Sequence, residues 1–376
     1  MTTSFTAARR ELLDVLTAIA SIVPNKPQRD ILKCIKIKAQ QGNPDSILIY
    51  ACSNDLESFA TYQLSTNVIV QNQGEFVVPA VTFLDYIKSL ESDTIEVHQT
   101  SEEALKINES GTEMEVGLQD LLEFPEFPTL PTDKKDWVTL PIGAVKHALS
   151  LVIFAVADKG HPKWGALGGT CLHFEKDKIS FIGTDLHRAS VADLDIDGQK
   201  LSGSYLVSAN AMEMASKFLN ADFEILPNPP NNLILKNDRC SLFIRLIGGD
   251  FPPVKNTVNA NKHQQSLNFV VSDFAKQVRK AALAVDQHNT IRVEIKNDKL
   301  HLIAKTKEQR KNIKVEHAID YKGNGIQFAV NCQYLLDLLK VSSNSEPLTM
   351  RFNRSNQALL FTQQNFQHLL VPQEVK

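Results

Sequence analysis

If this chain performs chemistry, a small set of residues must carry it. Asp185-x-His187 stands in the region that also holds His161 and His173, and a carboxylate near several imidazoles is the raw material of a metal or hydrolytic centre. The spacing does not deliver one. Such centres need three or four convergent ligands, and the sequence has neither HExxH nor a Cys/His cluster. His187 therefore reads as a structural or rim hydrogen-bonding residue. The five cysteines, Cys34, Cys52, Cys171, Cys240 and Cys332, lie far apart without a CxxC pair and read as reduced core residues of a cytosolic protein. Gly168-Gly169 and Gly248-Gly249 stand in neither GxxxxGK[ST] nor GxGxxG, so both read as turns rather than phosphate loops. No nucleophile–base constellation, metal site or cofactor site is evident, and the expectation is a chain without catalysis.

The elements that would position these residues repeat. Helical spacing of apolar residues predicts helices over 5–23, 140–157 and 269–285, with stripes such as Leu12, Leu16, Ile19 and Val23, or Val145, Leu149, Val152 and Val156. A strand followed by a second helix recurs in GEFVVPAVTFLDYIKSL, GSYLVSANAMEMASKFL and GIQFAVNCQYLLDLLKV. Their Val78, Val207 and Val330 are 129 and 123 positions apart. Stretches of period two at 47–50, 178–182, 233–236, 241–246 and 299–304 predict antiparallel strands. Pro-rich turns, EFPEFPTLPTD and GGDFPPVKNTVNANK, end the first two copies. The expected fold class is α+β, with three tandem domains at 1–131, 132–260 and 261–376.

Composition agrees with a soluble globular protein of several domains: 376 residues, 43% hydrophobic and 22% charged. No run of 18 apolar residues occurs, and MTTSFTAARRELL lacks the apolar block of a signal peptide, so a cytoplasmic protein with no membrane partner is expected. The net charge of −3 hides a gradient. Residues 1–131 hold nine basic and nineteen acidic side chains, a net of −10; 132–260 balance at 0; 261–376 hold seventeen and ten, a net of +7.

Several segments resemble the bacterial sliding clamp family, the beta subunit of DNA polymerase III, over essentially the whole chain: IVPNKPQRDILKCIKIKA, FIGTDLHRASVAD, GGDFPPV and VNCQYLLDLL. The most specific is Thr184-Asp185-Leu186-His187-Arg188-Ala189, which is similar to the family's TDGHRLA. The terminal LVPQEV resembles MPMRL only in its proline and apolar character. The resemblance implies three DNA-clamp domains per chain forming half of a ring, closed by a second copy as a head-to-tail homodimer around double-stranded DNA. It implies a non-catalytic processivity factor that tethers the DNA polymerase III alpha subunit, the clamp loader and other polymerases or repair proteins through short peptide motifs. A clamp-like paralogue with other partners is the alternative.

On this resemblance, DNA-facing residues would be Arg9, Arg10, Lys88, Lys146, Lys217, Lys276, Arg279, Lys280 and Lys340 on the helices, with Lys26, Lys159 and Trp164 on loops. Phosphate contacts of this kind are independent of base sequence and sensitive to salt. The ordinary alternative for any one of them is a solvated helix face. The partner groove would comprise Thr184, Leu186, His187, Arg188, Ala189, Pro252, Asn256, Thr257, Leu369, Val371 and Pro372. Departures from the family stand at Leu186, where it has glycine, at Asn256, where it has a basic residue, and at Gln373 and Glu374 in place of the tail's Met and Arg. In a head-to-tail ring the acidic first third would meet the basic last third, with 102–126 and 305–314 as the contributing stretches.

Overall fold

Residues 4–8, expected as the start of a helix, form strand β1 (Ser4–Ala8), and helix α1 spans Arg9–Ala20. Phe5 and Ala7 are buried between half-buried Thr6 and Ala8, the alternation of a strand, and β1 is paired on both sides. The other two opening helices are shortened in the same way. Strand β10 (Val138–Leu140) precedes α3 (Ile142–Val152), and β18 (Gln265–Phe269) precedes α7 (Val271–Ala282). The three strand–helix pairs inside the repeats are present: β6 (Gly74–Pro79) with α2 (Ala80–Ser89), β14 (Gly203–Ser208) with α5 (Ala209–Leu219), and β22 (Ile326–Asn331) with α8 (Cys332–Val341). The computed structural model describes residues 2–374 apart from 54–55, 110–111, 132–135, 160, 162–163, 199–200, 229–231, 261–262 and 307–310.

Two units emerge. The first comprises Met1–Gly143 and Asn210–Leu246. Its five-stranded sheet has the order β5-β1-β7-β8-β9, with β5 (Val68–Asn72), β7 (Thr94–Gln99), β8 (Ala104–Glu109) and β9 (Thr112–Gly117). Its eight-stranded sheet has the order β10-β15-β16-β17-β4-β3-β2-β6. Here β15 is Phe223–Asn228, β16 Asn232–Lys236, β17 Cys240–Arg245, β4 Ser58–Leu64, β3 Ser46–Cys52 and β2 Cys34–Gln40. α1 packs beside α2 and against β3 and β4, burying Leu12, Val15, Leu16 and Ile19.

The second unit comprises Ala144–Ala209 and Ile247–Lys376. Its eight-stranded sheet has the order β14-β11-β12-β13-β25-β24-β23-β18. Here β11 is Gly169–Glu175, β12 Lys178–Thr184, β13 Arg188–Asp195, β25 Phe366–Leu370, β24 Leu359–Gln363 and β23 Leu348–Phe352. A four-stranded sheet, β21-β20-β19-β22, adds β19 (Thr290–Lys296), β20 (Lys299–Thr306) and β21 (Lys311–Ala318). α7 packs beside α8 and on β20 and β21. The two short helices α4 (Trp164–Leu167) and α6 (Val254–Ala260) complete this unit.

The strand pairing is antiparallel throughout, and the strands of one repeat do not stay together. β4 pairs with β17 and β13 pairs with β25, so each eight-stranded sheet joins strands of two consecutive repeats. Pairing across a repeat boundary closes edges that each copy alone would leave open to other chains. All five cysteines are buried, and burial pushes their thiols up, to about 11 for Cys34, Cys171 and Cys332 and about 12 for Cys52 and Cys240.

Candidate partner groove and basic helix faces

The segment 184–188 is a tight connection between β12 and β13, built by its own polar side chains. Thr184 Oγ1 donates to the Arg188 carbonyl at 2.7 Å and accepts from the Leu186 N–H at 3.1 Å. Asp185 Oδ1 accepts the N–H groups of His187 and Arg188, both at 2.9 Å. This geometry puts Leu186 at φ 73°, the left-handed region where glycine is the low-cost residue, and leaves its side chain 45% exposed.

Arg188, expected in the groove, is turned inward. Its side chain is only 10% exposed, with Nε on Asp185 Oδ2 at 3.0 Å and Nη1 on Asp337 Oδ2 of α8 at 2.6 Å. The guanidinium also lies 4.2 Å from the Tyr334 ring centroid and 5.5 Å from that of Phe154. A planar cation with two carboxylates and two rings is a clamp on the turn's geometry. Beneath it His368 is fully buried, hydrogen-bonded through Nδ1 to Ser190 Oγ at 2.8 Å. Burial, then the charge of Arg188, hold its pKa down to about 3, so it is neutral.

The strand register places an apolar field on one face of the sheet. Leu206, Cys171, Ile182 and Val191 form one cross-strand row, and Ala189, Leu369 and Leu360 the next. These seven cluster with Val254 and Val258 of α6, and with half-buried Ala166, Ile247, Phe251 and Ala358. Of the predicted groove residues, Ala189 and Leu369 line this field, while Leu186 and Val371 stand exposed beside it. The Val371 N–H donates to the His187 carbonyl at 3.0 Å, tying the C-terminal segment to the turn. Pro372 is half-buried, and the Gln373 N–H donates to the Ala329 carbonyl at 2.8 Å. Thr184 is buried within the turn, and His187 is exposed. Pro252 is half-buried and its carbonyl accepts from the Val254 N–H. Asn256 and Thr257 face solvent on α6. Sequence reasoning missed the floor itself, although alternation in β11, β12 and β13 already sets Cys171, Ile182 and Val191 on one face.

The rival chemistry is not assembled. Asp185 is consumed by the turn and by Arg188, while His173 bonds Ser204 Oγ at 2.8 Å and Glu175 Oε1 at 3.2 Å. Among the described residues no group of three or more His, Cys, Asp or Glu side chains could hold a metal ion. No described helix is long and apolar enough to cross a membrane.

The predicted DNA-facing cations are placed on helix faces turned from the sheets. Arg10, Lys88, Lys146, Lys217, Lys276, Arg279, Lys280 and Lys340 are exposed and Arg9 is half-exposed. Three are paired within their own helix: Lys88 with Asp85 at 3.6 Å, Lys217 with Glu213 at 3.0 Å and Lys276 with Asp273 at 3.3 Å. Exposed pairs of this kind contribute about 0.3–0.5 kcal/mol, little enough for a phosphate to displace. Lys26 and Lys159 are exposed on loops; Trp164 opens α4, and its side chain lies outside the described residues.

This arrangement of sheets and helices is that of the DNA polymerase sliding clamps. The Bacillus subtilis clamp structure covers 100% of this chain and is itself covered over 100%, with a TM-score of 0.89 at 18% identity. A sliding clamp of Pseudomonas aeruginosa bound to griselimycin matches over 100% of both chains, with a TM-score of 0.88 and 18% identity. In sequence, the Chlamydia pneumoniae beta sliding clamp is 23% identical over 348 residues, 90% of each chain. The chain belongs to the DNA polymerase III beta-subunit family: the model of its N-terminal domain matches residues 3–131 and that of its C-terminal domain residues 258–373. Membership places it with the polymerase's non-catalytic clamp subunit.

Proposed function

We propose that this protein encircles duplex DNA as a head-to-tail homodimeric ring of six domains, divided in each chain at 1–131, 132–260 and 261–376, and tethers polymerases and repair proteins through the groove beside Leu186 and Val371. The observation that carries the reading is that α1, α2, α3, α5, α7 and α8 each set at least one exposed Lys or Arg on the face away from its sheet, in a chain of net charge −3. Such cations hold phosphates without reading bases, so the ring can slide while its topology does the holding.

The edges of the sheets support closure by a second copy. β9 ends the five-stranded sheet with exposed Glu113 and Glu115, and β21 ends the four-stranded sheet with exposed Lys311 and Lys314. Glu113 is held by Lys106 at 2.6 Å and Glu316 of β21 by Lys299 at 2.6 Å, while among the described residues exposed Glu115 on one edge strand and Lys311 and Lys314 on the other take part in no ion pair. Part of the basic stretch 305–314 lies outside the described residues.

The test is retention on nicked circular plasmid in the presence of a competent loader, followed by linearisation. Retention on circles and release from linear DNA is expected. A stable species of 41.9 kDa in solution, or equal retention on both forms, overturns the ring.

A further inference from the structure

We propose that the end of the groove at β23 reads a carboxylate, so that the segment docking there combines apolar anchors with a flanking Asp or Glu. This rests on the groove reading above and adds the chemistry of the occupant.

The register carries it. Ala189 opposes Leu369, Leu369 opposes Leu360, Leu360 opposes Arg351, and Arg351 opposes Ser266. Directly opposed residues share a face, so the apolar row runs without interruption into an arginine. Ala189, Leu369 and Leu360 are nearly buried, and Arg351 is exposed. Three residues further along, Arg354 lines an open recess of about 460 Å³ with Gln264, Asn353, Asn356 and Gln357, and Gln357 leads into Ala358, which packs on the apolar field. The recess thus lies at the turn that joins β23 to β24, next in sequence to the strand that carries Leu360 of the groove floor.

The segments that build this end carry Arg351 and Arg354 and no carboxylate between Glu346 and Glu374 or between His263 and Asp273. Among the described residues neither arginine takes part in an ion pair, whereas Arg188 at the other end of the row is already committed to Asp185 and Asp337. An unengaged guanidinium beside amide side chains is a fork for a carboxylate, and the amides can bond the same group or its neighbouring backbone. A lysine brought to this end would meet two like charges.

The experiment is fluorescence anisotropy on the full chain with three synthetic peptides that share one pair of Leu and Phe anchors and are flanked on both sides by Asp, Asn or Lys. The Asp peptide is expected to bind on the order of tenfold more tightly than the Lys peptide at low salt, with the gap closing in high salt. The double substitution Arg351→Gln with Arg354→Gln, both at exposed positions, is expected to abolish the gap and leave the Asn peptide unchanged. Equal binding of all three peptides, or a gap that survives the double substitution, overturns the acid reading and leaves the groove standing. Failure of all three to bind overturns the groove reading and this one with it.

Discussion

Each unit has an eight-stranded sheet with an apolar cluster against which a Phe-Pro turn packs, yet the two clusters end differently. In the first unit Ile31, Leu32, Cys34, Cys52, Val77 and Phe124 are joined by half-buried Tyr50, Phe59, Leu121 and Phe127. Phe127 meets Tyr50 at 5.0 Å, Phe59 at 5.2 Å and Phe124 at 5.9 Å, and the ammonium of Lys36 covers Tyr50 at 4.8 Å. EFPEFP supplies two phenylalanines to seal this field. DFPP supplies only Phe251 to the second, whose floor is small and aliphatic and whose margin exposes Leu186 at 45% and Val371 at 44%. The chain covers one apolar face with its own aromatics and leaves the other short of them, and the proposed docking of a peptide at the second face rests on that difference.

Three measurements press on that difference. The largest effect is expected from Phe124→Ala, which should lower the urea stability of the first unit by about 3 kcal/mol, while Phe251→Ala costs the second about 1 kcal/mol and weakens peptide binding. Equal losses, or a Phe251→Ala protein that binds peptide normally, would break the comparison. Next comes acid. His368 is the buried histidine of the second unit, and its pKa is held down to about 3 from the ordinary 6.5. Below pH 6.5 the unfolded chain takes up a proton that the folded unit refuses, so stability falls with pH from 6.5 towards 3. Roughly 2 kcal/mol should be gone by pH 5. Hydrogen exchange should therefore accelerate in β25 and β13 before β2 and β3, and His368→Gln should flatten the difference in that window. The smallest effect is expected from Leu186→Gly, which relieves the positive φ and should raise the melting temperature of the second unit by the equivalent of about 1 kcal/mol. A lowered melting temperature would mean that the exposed leucine is packing rather than strained.

Helices and internal strands were legible in the sequence because their periods of 3.6 and 2 are local properties. Leu12, Leu16 and Ile19 are buried as their spacing predicts, and β3, β12, β16, β17 and β20 fall where alternation put them. The strands ahead of the opening helices were not legible: FTAA suits either period, and β1 is decided by β5 and β7, which lie more than 60 positions along the chain. The turn at 184–188 is visible in the sequence as a motif, but the carboxylates and ring that hold its arginine are not. Nothing local to Arg188 reveals Asp337, 149 positions away, or Tyr334 beside it.

What the sequence determined by itself was the threefold order of strand and helix and the opposite charges of the first and last thirds, because composition, spacing and period are written along the chain. What the tertiary structure decided was which strands share a sheet, that Arg188 is held by Asp185 and Asp337, and that Arg351 stands at the end of an apolar row. Each depends on a partner brought from far along the chain, and cross-strand register, which no local pattern encodes, sets which side chains meet.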